Sequence, residues 1–305
     1  MSRRYGQKTP NAGRRTPAST LFLCLTWIAI AGFVVFFIIP VLWLLLTPSK
    51  TDAELVRSAP LAFGSFEGYL NAFANLLRFE DGAIVTWAKN SVVYSALALI
   101  LTVMACIPAG YGLAMTKFRG RKTLLNLTLL VMLMPGTTLV LPVFLELNAI
   151  HLTGTIWSVV IPSAFYPFGV YLTYIYYSTS LPPDLLSAAR IDGASEAQIF
   201  FQIALPLARP IVALVAFFSF VGTWNNYFLP LVMLAKTSDY PIPVGLQELF
   251  NNTERFNPTG GSIQLSIGRP ELALAIIIGV LPVLLIFLFS QRSLQSGLLG
   301  GASKE

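Results

Sequence analysis

The sequence predicts an all-α integral membrane protein with six transmembrane helices and a short cytoplasmic helix between the fourth and fifth. Three observations lead there. Of 305 residues, 55% are hydrophobic and 11% charged, with a mean hydropathy of +0.70, whereas soluble domains carry roughly 25% charged residues. The few charges are segregated, which leaves uncharged stretches at 16–49, 90–116, 123–145, 147–183, 210–235 and 272–291. Lysine and arginine crowd into the N-terminal tail and one short loop, the asymmetry that orients membrane helices.

Each uncharged stretch supplies the ~20 apolar residues that cross a bilayer. The first span is placed at 21–47. Its Ala29-Ile30-Ala31 resembles a signal-peptidase site, but the apolar run continues from Phe33 to Leu46. A signal h-region covers only about 7–15 residues, so an uncleaved span is expected. The second and third spans, 90–115 and 123–149, flank the hexapeptide KFRGRK at 117–122. The turn-like His151-Leu-Thr-Gly-Thr155 divides the next apolar run and starts a fourth span at 155–178; the fifth and sixth follow at 209–234 and 271–290. Pro135-Gly136, Pro142, Pro162 and Pro167 are expected to bend the third and fourth helices. Apart from Glu271, the first residue of the sixth span, Glu146 is the one acid within an assigned span, and its neighbours Asn148 and His151 place it near an interface, where a charge costs little.

Residues 1–20 form a basic tail, 21–290 the six-span unit with a loop at 179–208, and 291–305 a second tail. The first tail carries Arg3, Arg4, Lys8, Arg14 and Arg15 without an acid, and KFRGRK carries four bases. Both are expected in the cytoplasm, which puts both termini and the 179–208 loop inside and the 48–89 and 235–270 loops outside. The isoelectric point near 9.4 follows from this placement beside anionic membrane lipid and calls for no nucleic-acid partner. Cys24 and Cys106 fall within spans, as buried hydrophobes would. The chain has a single histidine, His151, and lacks a phosphate-binding Gly-x4-Gly-Lys-Ser/Thr, a His-Glu-x-x-His metal motif and a Gly-x-Ser-x-Gly elbow. No catalytic residue, metal site or cofactor is expected in it.

The polar tract LLSAARIDGASEAQIFFQIALPLARP, 185–210, reads as two helices around a corner. Pro182-Pro183 suits a helix start, and Asp184 places negative charge at the positive end. Gly193 supplies a left-handed stop without a Cβ penalty. Ser195 and Gln198 have capping-box spacing, Ile199, Phe200 and Ile203 make an apolar stripe, and Leu205-Pro206 is expected to end the second helix. Ala188 and Ala189 are small enough to admit a partner closely, with Arg190 and Asp192 setting register by charge. The residues equally allow a loop that packs on its own membrane domain.

Ser187-Ala188-Ala189, then Gly193, Ile203 and Leu205-Pro206, resembles the cytoplasmic signature of bacterial ABC-importer permeases, in which Glu-Ala-Ala precedes Gly and Ile-x-Leu-Pro at this spacing. The extended AARIDGAS and LPLARP are similar to the carbohydrate-uptake, maltose-type branch. FVGTWNNYFLPLVML, from Phe220, and the C-terminal Gln291, Arg292, Gly297, Gly300, Gly301 and Lys304 extend the likeness over residues 20–305. Ser187 departs from the usual glutamate, and Asp184, one turn earlier, is placed to substitute.

The resemblance implies that Asp184, Ser187, Ala188, Ala189, Arg190, Asp192, Gly193, Ile203, Leu205 and Pro206 form a coupling element. This element sits in a cleft of a cytoplasmic ATPase dimer, which binds ATP and magnesium. A second, related permease and an extracytoplasmic solute-binding protein complete an importer for a sugar or similar polar solute in the bacterial inner membrane. Trp224, Asn225, Asn226 and Tyr227 are expected on the translocation path, since buried amides need partners and an aromatic face suits a sugar ring. Interhelical packing would explain the same four residues. The external loop, with Gly260-Gly261 at its tip, is expected to meet the binding protein. The glycines after Gln291 are expected to end the sixth helix in a tail that reaches the ATPases. An autonomous secondary transporter or channel is the alternative.

Overall fold

Backbone groups in a bilayer are satisfied within helices or closed barrels, and the uncharged stretches fold as helices in the computed structural model, which describes residues 17–253 and 267–299. Four helices are long and apolar enough to cross alone: Phe22–Ser49, Ala83–Met115, Trp157–Ser180 and Arg269–Gln291. Two bent pairs also qualify, Arg121–Met132 with Gly136–Ala149 at 108° and Glu196–Leu207 with Arg209–Trp224 at 75°. The architecture is therefore all-α with four to six crossings, and no strand occurs among the described residues.

Prolines account for only some of the breaks. The third span breaks before Gly136, where Pro135 is the N-cap, and the fourth breaks at Phe165-Tyr166, before Pro167. Pro142 and Pro162, also expected to bend the chain, lie inside helices Gly136–Ala149 and Trp157–Ala164. The fifth span, expected to be continuous over 209–234, stops at Trp224 and resumes at Phe228–Met233. Two asparagines cap this gap: Asn225 donates its amide to the Val221 carbonyl at 2.9 Å, and the Asn226 carbonyl oxygen accepts the Leu229 N–H at 3.3 Å. The sixth helix corrects a further expectation. It runs as Arg269–Leu299, through Gly297, because one helical glycine costs only about 1 kcal/mol. Gly300, Gly301 and Lys304 lie outside the described residues, as does the basic tail before Pro17.

Two ends of the bundle are organised differently. At one end Tyr111, Tyr177, Leu181, Leu186, Ile199 and Ala204 form a single buried cluster, so the KFRGRK turn and the polar tract share that end. At the other, Leu76, Trp87, Ile242, Leu249 and Ile267 join the second span to short helices Phe66–Arg78 and Ile242–Asn251. Trp87 is fully buried and donates its indole N–H to the Thr237 carbonyl at 2.9 Å, which explains why the second helix starts at Ala83 and not at 90. Thr253 pairs with Ile267 and brackets the segment holding Gly260-Gly261, which lies outside the described residues.

Candidate functional site

The polar tract is built mostly from local signals. Helix Pro183–Ile191 opens on its two prolines, with Asp184 in the first turn. It closes in a Schellman arrangement: Ala194 N–H donates to the Ala189 carbonyl at 3.0 Å and Gly193 N–H to that of Arg190 at 3.1 Å. Gly193 has φ +85°, as expected. Ser195 and Gln198 form the expected capping box.

The second helix departs from expectation. It does not end at Leu205-Pro206 but continues as a π turn, Ile199–Ala204, into Leu205–Leu207. The widened turn pairs the Leu205 N–H with the Phe200 carbonyl, so the register has shifted before Pro206, which lacks a donor, enters the helix.

The tract has two faces. Leu186, Ile199 and Ala204 are buried to 2% exposure or less, and Ala189, Ala194, Phe200, Ile203 and Leu205 pack on the same cluster. Tyr176 donates its hydroxyl to the Leu207 carbonyl at 2.7 Å. The opposite face, with Asp184, Leu185, Ser187, Ala188, Ile191 and Asp192, is exposed, Ile191 by 86%. Ser187 turns its hydroxyl back onto the Pro183 carbonyl at 3.0 Å. Of the two alanines expected to admit a partner, only Ala188 faces outward; Ala189, Ile203 and Leu205 seat the tract on its own spans.

Arg190, expected to set register with a partner, instead bridges the corner. Its Nε and Nη2 donate to the two carboxylate oxygens of Glu196, at 2.6 and 3.2 Å. The pair straddles Gly193, and its six-residue spacing across that glycine is the one sequence sign of it. Hydrogen bonds from Arg190 hold the Glu196 carboxyl below its ordinary value near 4.5. A depressed carboxyl contributes stability above its unfolded value and loses it as pH falls through the folded one. The corner should therefore be insensitive to pH from neutrality down to the usual carboxylate range and loosen only in acid. Because the pair is exposed, its effect is small: Glu196→Gln is expected to speed amide exchange at Gly193 and Ala194 a few-fold, and the swap Arg190→Glu with Glu196→Arg to restore it. Unchanged exchange in Glu196→Gln would show that the Schellman bonds alone hold the corner.

The breaks in the third, fourth and fifth spans meet at one cavity of about 1010 Å³. Gly136, Thr137, Val143 and Glu146 line it from the third span, Ser163 and Phe165 to Phe168 from the fourth, and Asn226, Phe228 and Leu229 from the fifth. Of the four residues expected on a path, only Asn226 lines this cavity. Trp224 is 3% exposed, donates its indole N–H to Gly279 at 2.9 Å and stacks on Phe220, so it packs the fifth helix against the last. Asn225 is exposed and Tyr227 half-buried, both outside the lining. Sequence reasoning places Glu146 at an interface and misses its share in the lining, which depends on where the 108° bend carries helix Gly136–Ala149.

Residues 106–299 match the family described as binding-protein-dependent transport system inner membrane component. The arabinooligosaccharides transport system permease protein AraQ of Halalkalibacterium halodurans is 31% identical over 92% of this chain and 97% of its own length. The diacetylchitobiose uptake system permease protein NgcG of Streptomyces coelicolor is 29% identical over 95% of this chain and 90% of its own. In fold, the chain is similar to a chain of a crystallised bacterial ABC transporter involved in import of the acidic polysaccharide alginate, with a TM-score of 0.79, 20% identity, and 92% and 99% of the two chains covered.

Proposed function

The chain belongs to the family of binding-protein-dependent transport system inner membrane components, and from that premise we propose that it passes a sugar or sugar oligomer inward, driven by ATPase subunits on separate chains. The chain is a membrane-spanning permease subunit of an ABC importer, which removes the autonomous carrier from consideration. The carbohydrate class rests on the relatives, whose names specify arabinooligosaccharides and diacetylchitobiose.

The observation that carries the coupling half of the proposal is the two-faced tract 183–207. A helix rooted on one side in the second, fourth and fifth spans, and bare on the other, passes a push from a cytoplasmic partner into helices that line the cavity. Asp184, Ser187, Ala188 and Asp192 are its contact residues. Gly193 and the inward-facing Ala189, Ile203 and Leu205 keep it seated, Pro206 lies on its exposed side, and Arg190 braces the corner. ATP and magnesium are bound by the partner ATPases. A second permease completes the path, and a solute-binding protein delivers the solute to the face bearing helices Phe66–Arg78 and Ile242–Asn251. The 254–266 segment and the residues after Leu299 extend the contacts with binding protein and ATPases. Six crossings put both termini in the cytoplasm, as the lysine and arginine distribution requires.

The test is reconstitution of the purified complex in proteoliposomes, with binding protein loaded from a panel of neutral oligosaccharides. Hydrolysis of ATP stimulated several-fold by one loaded form, with matching uptake, is expected. Uptake that persists without the ATPase subunits would overturn the proposal.

A further inference from the structure

Among the described residues, the cavity between the broken spans is lined by apolar and neutral polar residues and one charge. Glu146 lies in the last turn of helix Gly136–Ala149, on the face that also carries Val143 and Gly136. It is exposed, and neither an ion pair nor a hydrogen bond engages its carboxylate among the described residues. The remaining polar groups of the lining are neutral. Ser163 has a buried hydroxyl without a partner, and the Asn226 amide uses only its carbonyl oxygen locally. Phe165, Tyr166, Phe168 and Phe228 supply aromatic surface.

An unpaired carboxylate facing a cleft with apolar walls focuses a negative potential over the open space and lowers the local concentration of anions. The same carboxylate accepts hydrogen bonds from hydroxyls, and aromatic rings cover the apolar faces of sugar rings. We propose that this cavity selects neutral, hydroxyl-rich solutes and turns away anionic ones, with Glu146 as the selecting residue. The inference rests on the cavity being part of the translocation path, and the experiment separates the two.

Val143 lines the cavity one helical turn from Glu146, with Cβ atoms about 5–6 Å apart at that spacing. In the assembled transporter in membrane vesicles, with exposed Cys24 replaced by serine and the remaining Cys106 buried, Val143→Cys is reacted with two methanethiosulfonates. One bears a trimethylammonium group and the other a sulfonate. Both need the thiolate, so the ratio of their rates cancels any effect of Glu146 on the thiol itself and reads the potential alone. The cation-to-anion ratio is expected to fall about three- to tenfold when Glu146→Gln is added, the size of one charge acting over this distance in a largely wet site. Reaction with both reagents at a ratio indifferent to Glu146→Gln would overturn the selectivity while leaving the cavity on the path. Protection of Val143→Cys from both reagents, from either side of the membrane, would show the cavity closed to water and overturn both.

Discussion

Gly193→Val is expected to abolish solute-dependent ATP hydrolysis while leaving the protein in the membrane. No atom lies within 4 Å of the position a Cβ would take at Gly193, so the substitution meets no clash and acts through the backbone alone. At φ +85° an L-residue is strained by about 1–2 kcal/mol, more for a β-branched one. That strain competes with two Schellman hydrogen bonds and an exposed ion pair, none of them strong. Relief comes by turning φ negative, which pulls Leu186 of helix Pro183–Ile191 out of its buried cluster and carries the bare face of the helix away from the ATPase. Asparagine tolerates the left-handed region through its short polar side chain, so Gly193→Asn should retain most of the coupling. Ala188→Asp provides the complementary disruption: the backbone is unchanged, but a charge enters the outward face where a tight contact is proposed, and desolvating it is costly. Both Gly193→Val and Ala188→Asp should lose the ATPase subunits on detergent purification, measured as the ratio of subunits recovered. Ala189→Asp is a poorer probe, because that side chain packs inward and its loss of coupling would also reflect a disturbed seat. Full recovery of the ATPases in both Gly193→Val and Ala188→Asp would remove the tract from the coupling path.

Gly110→Val should strongly destabilise the bundle. A Cβ on Gly110 would stand 2.5 Å from Thr173 Cβ and 2.9 Å from the Tyr174 backbone nitrogen. A Cβ on Gly169, one turn before Thr173 on the fourth span, would stand 2.5 Å from the Tyr166 ring and 3.1 Å from Cys106 Sγ of the second span. Gly110 against Thr173, and Gly169 beside Cys106, thus set the approach of the second and fourth spans, as small residues do where lipid supplies no hydrophobic drive for helix association. Thr173 cannot yield, because it is fully buried and its hydroxyl is held by the Gly169 carbonyl at 2.8 Å. Overpacking of this kind costs about 1–3 kcal/mol, and more where backbone is met. A lower melting temperature in detergent and reduced accumulation in membranes are expected. Thr173→Gly in the same chain should rescue only in part, since the Tyr174 backbone remains in the way. An unchanged melting temperature would mean that the two helices separate freely there.

Much of this protein is legible without its structure wherever the deciding energies act within a few residues. Hydropathy locates the spans, because a backbone in hydrocarbon has few conformations open to it. Pro182-Pro183, Gly193, Ser195 and Gln198 write out the corner of the polar tract, because caps and left-handed positions are settled by atoms within about five residues. The same local rules fail at Pro206, where the preceding π turn changes which carbonyl the proline would meet. They also fail at Gly297, where a single weak breaker is outweighed by the helix around it.

The direction in which each side chain faces was decided by tertiary structure. Adjacent alanines, Ala188 and Ala189, are chemically identical and end on opposite faces, since about 100° of helix rotation separates neighbours and only the position of the spans says which side is buried. Trp224 and Asn226 sit two residues apart across a helix end, and long-range packing sends one against Gly279 and the other into the cavity. Glu146 belongs to that cavity through a bend about ten residues earlier in the chain and through the breaks of two other spans. Local sequence determined what each residue can do within its own turn of helix; neighbours across the bundle, far away along the chain but in contact once it folds, decided which of those capacities is used.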